Sequence, residues 1–114
     1  MATAIYLHPT RTCFEWHKRI IDSIGLDFVP TASVGETLKR MEANNVSLVM
    51  LSGSAGYPLD DAIFPIKARH GETKIVVLSS SQAPDRLPTH IDGWICVADH
   101  EDIVRDRLRH SLEQ

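Results

Sequence analysis

Val46-Ser-Leu-Val-Met-Leu-Ser52, running directly into Gly53-Ser-Ala-Gly56, decides how the rest of the chain is read. Its apolar run is nearly unbroken, which suits a strand covered on both faces, the situation of the middle strand in a parallel sheet. In such sheets ligands and chemistry gather outside the carboxyl ends of the strands, so Ser52 and the small-residue loop behind it mark the functional edge.

Working outward, Lys74-Ile-Val-Val-Leu78 is a second strand of the buried type, ending in Ser79-Ser80-Ser81. Ala4-Ile-Tyr-Leu7 is a shorter one, stopped at His8-Pro9-Thr10 because proline donates no ladder hydrogen bond. Leu26-Asp-Phe-Val29 alternates as a half-buried strand, and Gly93-Trp-Ile-Cys-Val97 is the last. Helices fill the gaps. From Thr12 to Ile24, Cys13, Trp16, Ile20 and Ile24 share a stripe, with Ile21 beside it, Thr10 or Thr12 available as a cap and Gly25 placed to end it. Ser33-Val-Gly-Glu36 has capping-box spacing ahead of Leu38 and Met41.

Pro58 to Arg69 carries the stripe Leu59, Ala62, Ile63 and Ile66 and is closed by Gly71. Pro65 predicts either a kink there or a start near Asp61 that leaves the proline in its tolerant first turn. Asp99 is the expected cap of a final helix burying Val104, Leu108 and Leu112 with support from Ile103. Between Gln82 and Asp92, Pro84 and Pro88 leave room for loop with at most one helical turn. Strict alternation of strand and helix predicts an α/β three-layer sandwich on a five-stranded parallel sheet; with order 2-1-3-4-5 it is flavodoxin-like, the helix of the fourth crossover shortened or missing.

A chain of 114 residues, 43% hydrophobic and 24% charged, fits one globular domain over residues 1–114. A formal charge of -3 offers no global basic field for nucleic acid or an anionic membrane. No apolar run approaches the roughly 18 residues of a membrane span, and the opening residues lack a basic leader, so a cytoplasmic protein is expected. Cys13 and Cys96 predict reduced thiols rather than a disulfide framework.

From His8 to the carboxyl terminus the spacing resembles the receiver domain of bacterial response regulators. The resemblance rests on Gly25 after the first helix, Ala32-Ser-Val-Gly-Glu36 entering the second, the Leu48-Val-Met-Leu51 strand, and Gly93-Trp94. It implies an aspartate phospho-acceptor ending the third strand, with Mg²⁺ held by an acidic pair ending the first. It also implies a Thr or Ser ending the fourth strand and a Lys ending the fifth. Here His8 and Pro9 stand at the acidic pair, Ser52 at the acceptor and Val97 at the lysine. Ser79 keeps the hydroxyl and Trp94 the position of a switch aromatic. Mg²⁺ is a hard ion that wants carboxylate oxygens, which His, Pro and Ser do not supply, so no metal or other cofactor is expected. The resemblance is therefore to the degenerate, pseudo-receiver branch, whose members act by binding partners and often head a longer regulator.

Other chemistries are weaker. Cys13-x5-Arg19 matches the spacing of cysteine phosphatases, but Phe14-Glu15-Trp16 reads as amphipathic helix where a phosphate loop needs small residues. A Ser–His hydrolase built from His8, Ser52 and Ser79 lacks a nucleophile elbow, because Met50 stands where the first glycine would. Gly53, Ser54 and Gly56 form a candidate ligand loop that reads equally well as a plain turn. The six histidines have no ligand spacing. Arg105, Arg107 and Arg109 could touch nucleic acid, but Asp102 and Asp106 interleave them, so a solvated face is expected.

The expected function is that of a non-enzymatic, non-phosphorylatable regulatory domain in bacterial signal transduction or transcription control. It would act through a protein partner or effector domain, with no direct nucleic acid or membrane contact. The alternative is a sensor of a small anion or nucleotide in the crevice between the ends of the first and third strands. A weak homodimer is expected through the final helix, with Arg105 and Arg109 at the interface. The competing surface is the first helix, where Phe14 falls off the buried stripe.

Overall fold

The structure is a computed structural model describing residues 2–8, 14–53 and 58–113. Five strands, β1 (Thr3–Leu7), β2 (Asp27–Thr31), β3 (Val46–Ser52), β4 (Lys74–Ser79) and β5 (Gly93–Cys96), form one sheet. All pairings are parallel, in the order β2-β1-β3-β4-β5. Helices α1 (Glu15–Ser23) and α4 (Glu101–Glu113) cover one face, and α2 (Val34–Ala43) and α3 (Leu59–Arg69) the other. This is the expected flavodoxin-like sandwich. Among the described residues no helix lies between β4 and β5, so α4 is the helix that follows the last strand.

The pleat divides the central strand's side chains between the two layers. Leu48 and Met50 pack with Ala4, Tyr6, Ile20, Ile21, Val104 and Leu108 under α1 and α4. Val49 and Leu51 pack with Ile5, Leu7, Ile63, Ile66 and Val77 under α2 and α3. Leu48 through Leu51 are at most 1% exposed, and burial of each such side chain contributes about 1.5–3 kcal/mol.

Local chemistry explains most boundaries. Gly25, at φ +82, ends α1 in a Schellman motif: its N–H donates to the Asp22 carbonyl and the Leu26 N–H to that of Ile21. Ser33 caps α2 by accepting from the Glu36 N–H, while the Glu36 carboxylate accepts from the Ala32 N–H, one residue outside a strict capping box. Pro30 is tolerated within β2 because that strand lies at the sheet edge.

Several boundaries differ from expectation. Helix α1 starts at Glu15, and its cap residue Phe14 provides no side-chain hydrogen bond; Thr10, Thr12 and Cys13 lie outside the described residues. β2 extends to Thr31, whose hydroxyl is paired with that of buried Thr37 on α2. Helix α3 begins at Leu59 with Pro65 inside it, so the late start at Asp61 is not used.

α4 begins two residues beyond Asp99: His100 is the cap, its Nδ1 accepting from the Asp102 N–H, while the Asp99 carboxylate accepts from Arg107. Ile103 is 44% exposed rather than part of the stripe, because at about 100° per residue it falls to the side of the face on which Val104, Leu108 and Ser111 are buried.

Candidate functional site

The carboxyl ends of β1, β3, β4 and β5 bring His8, Ser52, Ser79 and Val97 to one edge of the sheet. His8 follows β1 directly, and its N–H donates to the Thr31 carbonyl. Ser52 ends β3 and Ser79 ends β4, at 4% and 6% exposure. Val97 lies one residue past β5, its N–H donating to the Ser79 carbonyl. Trp94 is half-buried within β5 and donates from its indole Nε1 to the Ser81 carbonyl. Pro9, Ser54 and Gly56 fall outside the described residues.

Contact across this edge is close. The Gly53 N–H donates to the Leu78 carbonyl at 2.8 Å, and a β-carbon on Gly53 would stand 2.8 Å from Cβ of Ser79. Only glycine lets the chain leave β3 this near to β4. The Ser79 hydroxyl accepts from the Ser81 N–H at 3.1 Å, which shapes the turn out of β4. Ser52 shares a side-chain hydrogen bond with the Tyr6 phenol, whose pKa is pushed up by burial against that bond's opposing pull. Tyr6 is therefore a neutral hydrogen-bonding group rather than a phenolate.

Residues outside the sequence-based list complete the site. His17 lies against Tyr6 with ring centroids 4.8 Å apart, and Phe14 makes edge contacts with Tyr6, His8 and His17. Phe14 is thus half-buried in the core rather than turned outward, which removes it as the expected α1 docking residue. The signal was present in the chain: Tyr6 and His8 alternate onto one sheet face, while Phe14 and His17 are three apart at the start of a helix. His17 is held below the ordinary histidine range, first by burial and then by the nearby His8.

Two arginines of α4 are engaged within the chain, Arg107 with Asp99 and Arg105 with several groups. Arg105 binds Glu101, Asp102 and the Ser23 hydroxyl, and Arg19 of α1 also binds Glu101. This network joins α1 to α4. Arg109 is exposed. A separate cleft of about 600 Å³ lies at the opposite, amino-terminal edge of the sheet, lined by Asn45, Ser47, Arg69, His70 and Thr73 among others.

No protein-family model and no curated protein matches the sequence. Solved structures do. A response regulator from Thermotoga maritima superposes with a TM-score of 0.84 at 17% identity, covering 99% of this chain and 98% of that one. The response regulator TrrA from the same organism, in complex with Mg²⁺ and BeF, gives 0.79 at 17% identity over 97% and 99%. HP1043, an orphan response regulator of H. pylori, gives 0.75 at 17% identity over 98% and 96%. The strand order, the placement of the helices and these superpositions agree: the chain has the fold of response-regulator receiver domains.

Proposed function

We propose that the protein is a non-enzymatic regulatory domain of the receiver type, in bacterial signal transduction or transcription control, that does not take a phosphoryl group and acts through protein contacts. The observation that carries this reading is Ser52: at the acceptor position stands a buried hydroxyl tied to Tyr6, not a carboxylate. Its described neighbours at the strand ends, His8, Ser79 and Val97, bring no carboxylate for Mg²⁺ and no lysine to neutralise transferred charge. The donor set does not fit the ion that the fold's phosphorylated members use.

A hydroxyl without a base is a poor acceptor, and no phosphoryl step follows from this geometry. Without that switch, an interface has no reason to be hidden until activation. Helix α4 offers one: exposed Ile103 shares a side of the helix with exposed Asp106 and His110, with exposed Arg109 further round. Intact mass after incubation with acetyl phosphate and Mg²⁺ tests the central claim. No mass gain is expected; incorporation of one phosphoryl group would overturn it.

A further inference from the structure

The Nδ1 atom of His17 is fully buried and has no hydrogen-bond partner among the described residues. A buried polar atom left so costs stability, so its retention calls for a reason. Around the ring stand Tyr6 of β1 and His8 just after it, Phe14 at the start of α1 and Trp16 within it, and Met50, Leu78, Val104 and Leu108 from β3, β4 and α4. With the proton on Nε2 the ring is neutral and Nδ1 is a bare acceptor; a second proton places a charged N–H there with no acceptor among the described residues.

We propose that His17, with His8, makes this corner of the pocket responsive to protons: protonation of His17 breaks its packing on Tyr6, and the change passes through Ser52, Gly53, Ser79 and Ser81 to Trp94. The inference rests on the regulatory reading above, since it supplies this pocket with a signal from a proton on His17 instead of a phosphoryl group on Ser52. Each link is a described contact. His17 lies on Tyr6, Tyr6 bonds Ser52, and Gly53 abuts Ser79. Ser79 then accepts from Ser81, whose carbonyl receives the Trp94 indole N–H.

Among the described residues, the charged groups near His17 do not rescue its protonated form. On α1, Glu15 points into solvent, Lys18 pairs with Asp22, and Arg19 pairs with Glu101. On α4, Glu101 is taken by Arg19 and Arg105. From β1 and the residue after it the titratable neighbours are Tyr6, neutral, and His8, which would repel a second positive ring. The side chains that β2, β3 and β4 bring to this region, Phe28, Met50, Ser52 and Leu78, carry no charge. His17 also lies in the first turn of α1, where the helix dipole disfavours a cation.

A histidine whose folded pKa is lowered stabilises the packed state above its unfolded value of about 6.5, and that contribution is lost as pH falls through both values. The start of α1 is the weak point, since Phe14 supplies no cap. Acid should therefore release this corner locally before the domain unfolds.

The test is an NMR titration of the whole chain from alkaline to mildly acidic pH, following the histidine rings, the Ser81 amide and the Trp94 indole N–H, with far-UV circular dichroism in parallel. His17 should titrate below about 6.5, and Ser81 and Trp94 should shift with the same midpoint while helicity is kept. His17→Phe should abolish the Trp94 shift. His8→Gln, which removes the repelling ring, should raise the midpoints of His17 and Trp94 together, and it carries the test alone if His17→Phe does not fold. A Trp94 signal that ignores His17 titration, survives His17→Phe or keeps its midpoint in His8→Gln would overturn the proposal. Acetyl phosphate labelling of the same sample separates the two readings: incorporation would overturn the regulatory reading alone, and a silent Trp94 the proton coupling alone.

Discussion

Ser52→Asp would place a carboxylate at the position proposed for the acceptor, and the burial of Ser52 sets what that costs. The site is 4% exposed, its hydroxyl is bonded to Tyr6, and Val97, just past the end of β5, brings no charge to the strand ends. A carboxylate placed there loses most of its hydration without a described cation in return. If burial raises its pKa by ~1–2 units above the ordinary ~3.9, the folded state is destabilised by ~1.4–2.7 kcal/mol at neutral pH.

The sign follows from linkage: a carboxyl raised in the folded state is unfavourable above its folded pKa, and the penalty fades as pH falls toward the unfolded value. Ser52→Asn, of similar size and uncharged, is the control. Urea denaturation should place the midpoint of the Asp variant ~1 M below that of the Asn variant at pH ~7.5, with the gap narrowing by pH ~5. The Asp variant should fold and still gain no mass from acetyl phosphate with Mg²⁺, because His8 and Val97 are unchanged. Equal midpoints at neutral pH, a gap that does not depend on pH, or Mg²⁺-dependent phosphorylation would refute the account of the pocket.

Two further outcomes follow from neighbouring contacts. Gly53→Ala puts a β-carbon 2.8 Å from Cβ of Ser79, the root of a side chain rather than its movable end, and should destabilise by ~1–3 kcal/mol in urea, with Ser79→Gly in the same chain recovering part of the loss. Association through α4 should appear in sedimentation at micromolar to millimolar concentration and weaken with Ile103→Ser or Arg109→Glu; a dimer indifferent to both substitutions would exclude that face.

The sequence by itself determined the layers. The unbroken run from Leu48 to Leu51 had to be covered on both faces, Gly25 could end a helix left-handed, and Ser33 with Glu36 could satisfy the open N–H groups of the next. These are local effects of period, conformational freedom and hydrogen bonding, and they act before distant segments meet. Ser52 and Ser79 end their strands, and His8 and Val97 stand one residue beyond theirs, so the local pattern brought all four to the strand ends, while their grouping as one pocket came from the resemblance to receiver domains.

Tertiary structure decided the rest. Whether Phe14 faces solvent depends on where α1 begins, and packing against Tyr6 and Phe28 turns it inward. Asp99 has the right chemistry for a cap but is drawn off by Arg107, leaving the role to His100. Arg105 looks free on a helical wheel, yet Ser23, far away in sequence, and Glu101 hold it. His17 becomes unusual only because the strand carrying Tyr6, with His8 just beyond it, is brought beside α1, leaving one ring nitrogen buried without a partner among the described residues. Such environments are made by residues distant in sequence, and no local period announces them.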